Sequence, residues 1–145
     1  MSASRSPGAA CTLAVALASA ACRSSTEPAP VTRLAVGVLA SPASAALQVP
    51  DTVFAGSPFS VRVVTQGDGC LRAAGGEARV KGLTATVTPY DMLYNGACDL
   101  ILLTAAREVL VRFDAPGTAS VRVVGAHGTA AERTVIVRLP RSSTP

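Results

Sequence analysis

The sequence contains no tryptophan, one histidine, two tyrosines and three phenylalanines among its 145 residues. Sites that stack bases or sugar rings depend on aromatic side chains, so this composition disfavours single-stranded nucleic-acid binding and carbohydrate binding. His127 lies in the glycine-flanked turn 125–128, which is typical of a solvated side chain rather than a catalytic one. No Gly-x-Ser-x-Gly motif supports a serine nucleophile. The sequence therefore predicts a protein that is not an enzyme and that needs no cofactor.

A concentrated positive surface is also lacking, although the net charge is +4. Three of these four charges come from the ends of the chain, which contain four arginines and one acidic residue: Arg5, Arg23, Arg33, Arg141 and Glu27. Between Ser44 and Pro140, nine basic and eight acidic residues nearly cancel. Nucleic-acid binding requires many clustered cations, so we expect no nucleic-acid partner.

The chain also lacks an apolar run long enough for a membrane span, which needs about 20 residues. The longest candidate, Ala9–Ala21, has thirteen residues, follows Arg5 and ends in small side chains. A positive start, a short apolar centre and a small-residue end are typical of a secretory signal. The sequence therefore predicts an exported protein with a signal peptide at 1–21.

Two ways of processing this signal are open. Ala18–Ala20 fits ordinary cleavage, whereas Ser19–Cys22 resembles the lipobox of bacterial lipoproteins, with Ser19 where that family prefers leucine. In a lipobox the cysteine is lipidated, so Cys22 would anchor the protein to a membrane, at the outer membrane or the periplasmic side. The polar, proline-containing stretch that follows suits a flexible tether, which we assign to 22–43.

Cys11 would leave with the signal, and Cys22 is the candidate anchor, so Cys70 and Cys98 remain. A pair of cysteines in an exported chain is most simply a disulfide. Both follow turn sequences, which predicts that the bridge joins two loops. A metal site is the alternative, but two thiols and His127 fall short of a four-ligand set, so no metal is predicted.

Alternating apolar residues indicate β-strands in the remainder of the chain. The clearest segments are 59–64, 108–113, 119–124 and 134–139, and weaker ones are 45–49, 78–80 and 83–87. Leu100–Leu103 is a short apolar run, and 31–39 is either a first strand or part of the tether. Turn sequences, including Ala74–Gly76, separate these segments. About seven short strands predict an all-β fold of the antiparallel sandwich type.

Two segments carry a resemblance to a known family. Val49–Val61 resembles the first two strands of bacterial immunoglobulin-like domains, and 115–123 with 134–139 resembles their terminal hairpin. The resemblance implies an immunoglobulin-like sandwich over 44–140, followed by a disordered tail at 141–145. The chain departs from antibody-type domains because it lacks the buried tryptophan and because its cysteines lie at loops.

The resemblance also implies an interaction module of the cell envelope. The stretch 88–94 gathers both tyrosines and a methionine before Cys98, so it is interpreted as a contact loop made of Tyr90, Met92, Leu93 and Tyr94, or as a lid on the core. The partner would be an envelope or extracellular protein. The alternatives are a spacer lipoprotein and a secreted module that binds calcium or a glycan.

Two sets of charged residues have either a functional or an ordinary structural role. Asp91 and Asp99 bracket the end of this stretch and would serve acid–base chemistry or calcium binding, but aspartates at strand ends more often cap turns. Five arginines occupy outward strand positions, where they would meet an anionic partner or cover the sheets with their aliphatic stems. They are Arg62, Arg79, Arg112, Arg122 and Arg138.

Overall fold

The computed structural model describes residues 31–140. The signal segment, the candidate anchor Cys22 and the tail at 141–145 lie outside the described residues. The described chain forms two β-sheets packed face to face, which confirms the predicted all-β sandwich. Its strands are β1 (Thr32–Val36), β2 (Leu47–Gln48), β3 (Thr52–Phe54), β4 (Phe59–Gly67), β5 (Arg72–Lys81), β6 (Thr84–Tyr94), β7 (Leu103–Val111), β8 (Gly117–Val124) and β9 (Ala130–Arg138). A short helix α1 (Ala43–Ala46) precedes β2, and a 3-10 turn occupies Ala126–Gly128.

Sheet A contains six strands and is centred on the long strand β6. Its strand order is β1-β6-β8-β9-β3, and β5 pairs along the opposite edge of β6. β1 and β8 share one edge of β6, since β1 pairs with 90–94 and β8 with 84–87. The pairs β6–β8 and β3–β9 are parallel, so the sheet is mixed rather than wholly antiparallel. β8 runs parallel to β6 because the chain crosses to the other sheet through β7 before it returns.

Sheet B contains three antiparallel strands in the order β2-β4-β7. The ladder between β4 and β7 runs without interruption from Phe59↔Val111 to Gly67↔Leu103. Sequence neighbours β5 and β6 form the other long ladder, which contains an irregularity between Ala73 and Gly76. Gly75 has a φ of +98° there, so the glycines predicted to form a turn instead form a bulge inside β5.

The core lies between the sheets and follows the period of two seen in the sequence. Buried side chains alternate with more exposed ones along β4, β6, β7 and β8, as predicted for 59–64, 108–113 and 119–124, whereas β5 has no buried residue. Phe113 is fully buried, and its ring lies 5.7 Å from that of Phe59, centroid to centroid. The alternation fails at Leu139, which was expected to face inward but is exposed beyond the end of β9. Leu100–Leu102 is an exposed loop, and the strand β7 begins only at Leu103.

The N-terminal boundary of the domain differs from the prediction. The tether was assigned to 22–43, with 31–39 left open as a first strand, and Thr32–Val36 is indeed strand β1 of sheet A. The chain then crosses to sheet B, where Leu39 forms a bridge with Thr65 of β4 and is buried. Gly37 lies at the crossing and bonds through its backbone to Pro89 and Ala126. The sandwich therefore begins by Thr32.

Candidate functional site

The four predicted contact residues do not lie in a loop. Tyr90, Met92, Leu93 and Tyr94 are the last residues of β6, paired with β1 along one edge. The sequence did not indicate that β1, which was left open as a first strand or part of the tether, pairs with this segment. As strand residues they divide between two faces, since successive side chains point to opposite sides of a sheet.

Three of the four face outward. Ala85, Val87 and Asp91 of β6 are buried, so the inward face of this strand is the odd-numbered one. Tyr90, Met92 and Tyr94 therefore point away from the core, and Leu93 points to the inward side. Leu93 and the other three residues therefore lie on opposite faces of sheet A.

The register of β1 adds two apolar side chains to this outward surface. Val36 lies opposite Tyr90, and Leu34 lies opposite Met92. Directly paired residues on one face of an antiparallel ladder have neighbouring side chains. Leu34 is 60% exposed, and Val36 and Tyr94 are also exposed. We name Leu34, Val36, Tyr90, Met92 and Tyr94 the contact face.

Polar side chains of β5 flank the contact face on one side. Arg79 donates a hydrogen bond to Glu77 at 2.9 Å on the neighbouring strand β5, and the Tyr90 hydroxyl donates to the same carboxylate at 3.4 Å. The hydrogen bond from Arg79 and its positive charge lower the pKa of Glu77 below its ordinary value. Arg72 lies opposite Met92 on the other side of β6. An apolar centre with a charged rim is the composition of a protein-binding surface.

A disulfide joins Cys70 and Cys98 beside the contact face, with their Cα atoms 5.4 Å apart. Both cysteines lie in loops, Cys70 just before β5 and Cys98 after β6, as the sequence predicted. The Cys70 amide donates to the Asp68 carboxylate, and the Gly69 amide donates to the Asp99 carbonyl, each at 3.0 Å. The bridge therefore fixes the loop that follows the contact residues against the loop between β4 and β5.

One candidate metal-binding cluster is found among residues 31–140. It consists of Asp68, Cys70 and Cys98, whose possible ligand atoms lie within 4.8 Å of one another. Thiolate is the form of cysteine that binds a metal ion. Two sulfurs bonded to each other cannot supply thiolates, and Asp68 is exposed. The geometry at this cluster is that of a covalent bridge between loops.

A buried polar cluster that was not predicted from the sequence lies between the sheets. Arg107 of β7 bonds to Asp91 of β6, with Nη2 and Oδ1 2.6 Å apart, and it also donates to the Thr65 hydroxyl and the Tyr90 carbonyl. Asp91 was expected to cap a turn or to act with Asp99, but it lies within a strand and faces the core. Thr65 and Arg107 could have been found by continuing the inward alternation of Val61 and Val63, and of Val109 and Val111.

Gly37 closes this cluster from the side. The second carboxylate oxygen of Asp91 has no hydrogen-bond partner and is inaccessible to solvent, and a β-carbon at Gly37 would overlap it. His127 and Asp91 both line a neighbouring groove of ≈ 270 Å³. Because Gly37 covers the free oxygen, the groove offers no open carboxylate to a substrate. The arrangement is suited to holding the two sheets together.

The five outward arginines do not converge on one surface. Arg62 lies on sheet B, whereas Arg79 and Arg122 lie on sheet A. Arg79 pairs with Glu77, and Arg112 pairs with Asp114 at 2.8 Å. Arg122 lies opposite Glu132 in the ladder. Their charges are thus dispersed and largely accompanied by acidic neighbours.

Comparisons of the chain with protein-family models, curated proteins and solved structures found no match. No helix among residues 31–140 is long and apolar enough to cross a bilayer.

Proposed function

We propose that this protein is an exported, non-enzymatic lipoprotein of the cell envelope, anchored through Cys22, whose immunoglobulin-like module holds a partner protein on its contact face. The observation that carries the proposal is the β1–β6 register. It places Leu34 and Val36 beside Tyr90, Met92 and Tyr94 on the outward side of sheet A, where Leu34, Val36 and Tyr94 are exposed and Tyr90 and Met92 are half-buried.

The chemistry of the contact face suits a protein rather than a small polar ligand. Tyrosine is enriched among the residues that dominate binding energy, and methionine adapts to irregular surfaces. Both tyrosines lie in the ladder between β6 and β1, where Tyr90 pairs with Val36 and Tyr94 with Thr32. Their backbone is therefore ordered before binding, which lowers the entropic cost of association.

The buried polar cluster supports a binding role over catalysis. Arg107 and Asp91 bond to each other and to neighbouring groups, and both side chains are at least nine-tenths buried. A general acid or base must reach the proton that it transfers, directly or through one water. Among the described residues, Gly37 and the two sheets keep this cluster away from any such substrate.

The test is site-specific photo-crosslinking in intact cells, followed by purification of the partner. A crosslinker at position 90 or 94 should capture one defined protein, and that protein should no longer co-purify with the Tyr90→Ser/Tyr94→Ser variant. The matched control is Phe54→Ser/Ile136→Ser, which removes two exposed apolar side chains from the same sheet far from the contact face. Unchanged co-purification with the tyrosine variant would refute the contact role and favour the spacer alternative.

A further inference from the structure

A second apolar surface lies at one end of the sandwich, distinct from the contact face. Leu100 is fully exposed, Ile101 and Leu102 are 54% and 73% exposed, and Val31 is 59% exposed. We name Val31, Leu100, Ile101 and Leu102 the apolar tip. Three consecutive large aliphatic side chains in water are unusual on a monomeric surface, and such clusters mark places where proteins or membranes bind.

Backbone contacts place the members of the tip at the same end of the fold. The Val31 amide donates to the Asn95 side chain at 2.6 Å, and its carbonyl accepts from the Asn95 amide at 3.3 Å. Asn95 begins the loop 95–102, which is held by the Cys70–Cys98 bridge and by the Asp99 carbonyl. The loop therefore presents its three aliphatic residues from a braced position.

This end is also the one at which the anchored segment enters the domain. Nine residue steps separate Cys22 from Val31. A chain covers at most about 3.6 Å per residue, so the tip end cannot lie more than roughly 32 Å from the anchor. By contrast β9, which leads to the C-terminus, finishes at the opposite end of the sandwich, beside the start of β8.

From these observations we propose that the apolar tip inserts into the interfacial region of the lipid bilayer, so that the domain rests on the membrane on this end. The inference depends on the proposed anchor at Cys22 for its position. A short link raises the effective concentration of the tip at the surface, which favours insertion of the anchored chain over that of a free one. Leucine is among the side chains, with tryptophan and phenylalanine, that interfacial segments bury in this region.

The charges near the tip suit a lipid surface without requiring anionic lipid. Arg33 and Arg72 lie at this end together with Asp68 and Asp99, so the local charge balances. Attraction to anionic lipids contributes about 1 kcal/mol for each basic residue near the surface and is screened by salt. Balanced charge means that binding should change little with ionic strength and should follow the aliphatic side chains.

The absence of tryptophan makes insertion directly measurable. The Ile101→Trp variant has one tryptophan, at the tip, and the Leu110→Trp variant has one on the outer face of sheet B, at a similarly exposed leucine. Both proteins, purified from membranes with their native N-terminus, are placed in vesicles of phosphatidylethanolamine and phosphatidylglycerol containing bromine-labelled acyl chains. We expect a blue shift and strong quenching at position 101 and neither at position 110.

Two other results would overturn the inference. Equal emission and quenching at positions 101 and 110 would mean that the tip stays in water. A blue shift at position 101 that rises with protein concentration and occurs without vesicles would mean that the tip binds a second copy of the chain.

The anchor and the tip can fail separately, because each has its own measurement. Mass spectrometry of the N-terminal peptide decides whether Cys22 is lipidated. The Cys22→Ser chain, which cannot carry the lipid, is then floated with the same vesicles. Its bound fraction should fall to the background of the flotation assay on Leu100→Ser/Ile101→Ser/Leu102→Ser substitution, because three aliphatic groups are lost and burial of each is worth roughly tenfold or more in partitioning. It should be unchanged by Leu110→Ser/Ile136→Ser/Leu139→Ser, and an equal effect of both sets would refute a specific tip.

Discussion

Arg107 on β7 and Asp91 on β6 form an ion pair that connects the two sheets through the interior of the domain. Their side chains are 4% and 2% exposed, and Nη2 and Oδ1 lie 2.6 Å apart. The Thr65 hydroxyl, which receives a hydrogen bond from Arg107, donates one to Asp91 at 3.2 Å. Three strands thus each supply one polar group to this cluster: β4 supplies Thr65, β6 supplies Asp91 and β7 supplies Arg107.

Removing one partner of this pair should destabilise the domain strongly. Arg107→Met would leave the Asp91 carboxylate buried without a counter-charge, which costs about 3–5 kcal/mol in comparable buried pairs. Asp91→Leu combined with Arg107→Met should cost much less than the sum of the two single changes, since no charge remains buried. Urea unfolding of the four proteins measures this coupling.

The exposed pair Arg112–Asp114 supplies the matched control for that cycle. Its side chains are 59% and 75% exposed, so Arg112→Met should change the free energy of unfolding by less than about 1 kcal/mol. A similar cost at Arg112 and Arg107 would mean that burial does not set the strength of the Asp91 pair.

Gly37 should tolerate no side chain, for a related reason. A β-carbon there would overlap Asp91 Oδ2 and lie 2.5 Å from Thr65 Cγ2. We expect Gly37→Ala to lower the free energy of unfolding by about 1–3 kcal/mol, the usual range for overpacking. Gly67→Ala is the control, because its β-carbon would meet only the movable Leu71 side chain at 3.3 Å. Thermal unfolding of both variants measures the loss of stability. An equal loss in Gly37→Ala and Gly67→Ala would contradict the crowding at Gly37.

The revised domain boundary can be tested by truncation. A chain that begins at Ser44 lacks β1, the buried Leu39 and the Gly37 cover of Asp91. Loss of the Leu39 burial alone is worth about 1.5–3 kcal/mol, so this chain should lose most of its cooperative unfolding transition. A chain that begins at Val31 should keep it. Equal circular-dichroism melting curves would show that 31–43 is dispensable, as the sequence had suggested.

The inward positions of Val61 and Val63, and of Val121 and Val123, could be predicted from the sequence. Burial of one face of a sheet places an apolar residue at every second position of a strand. The same period continues through Thr65 and Arg107, but it was not followed there because these side chains are polar. Asp91, Thr65 and Arg107 were not recognised as inward-facing because each depends on partners from other strands. Their cost when buried is offset only by contacts that form across the sandwich.

Tyr90, Met92 and Tyr94 were grouped from the sequence as a loop, and the structure places them in a strand. Leu34 and Val36 belong to a segment that the sequence offered as a first strand, but their position beside these residues depends on the β1–β6 register, which the sequence does not show. The apolar run at Leu100 suggested a strand, but the disulfide and the Gly69–Asp99 bond hold it in a loop. Such tertiary constraints leave no local trace in a sequence.

The disulfide should contribute a large part of the stability. Cys70 and Cys98 are 28 positions apart, and closing a loop of this length stabilises a domain by roughly 3–4 kcal/mol in the chain-entropy model. Cys70→Ser/Cys98→Ser should therefore shift the urea midpoint sharply downward. Free-thiol labelling of the unfolded, unreduced domain should leave both cysteines unmodified. Labelling of both, with no change in midpoint in the double variant, would contradict the bridge.

The rim of the contact face should respond to acid through Glu77. The hydrogen bond and charge of Arg79 lower the pKa of Glu77, and Tyr90 adds a weaker hydrogen bond. A lowered pKa means that these contacts are complete above the unfolded pKa and are lost as the pH falls through the folded one. In a carboxyl-carbon NMR titration, Arg79→Gln should therefore raise the pKa of Glu77.

Arg62→Gln, on the other sheet, is the control for this titration and should leave the pKa of Glu77 where it is. Tyr90→Phe should raise it by less than Arg79→Gln does, because the Tyr90 bond is the smaller cause. If Arg79→Gln had no effect, the pair would not persist in solution. Arg79 would then present a free positive charge beside Tyr90, and the partner of the contact face should be sought among proteins with an acidic surface.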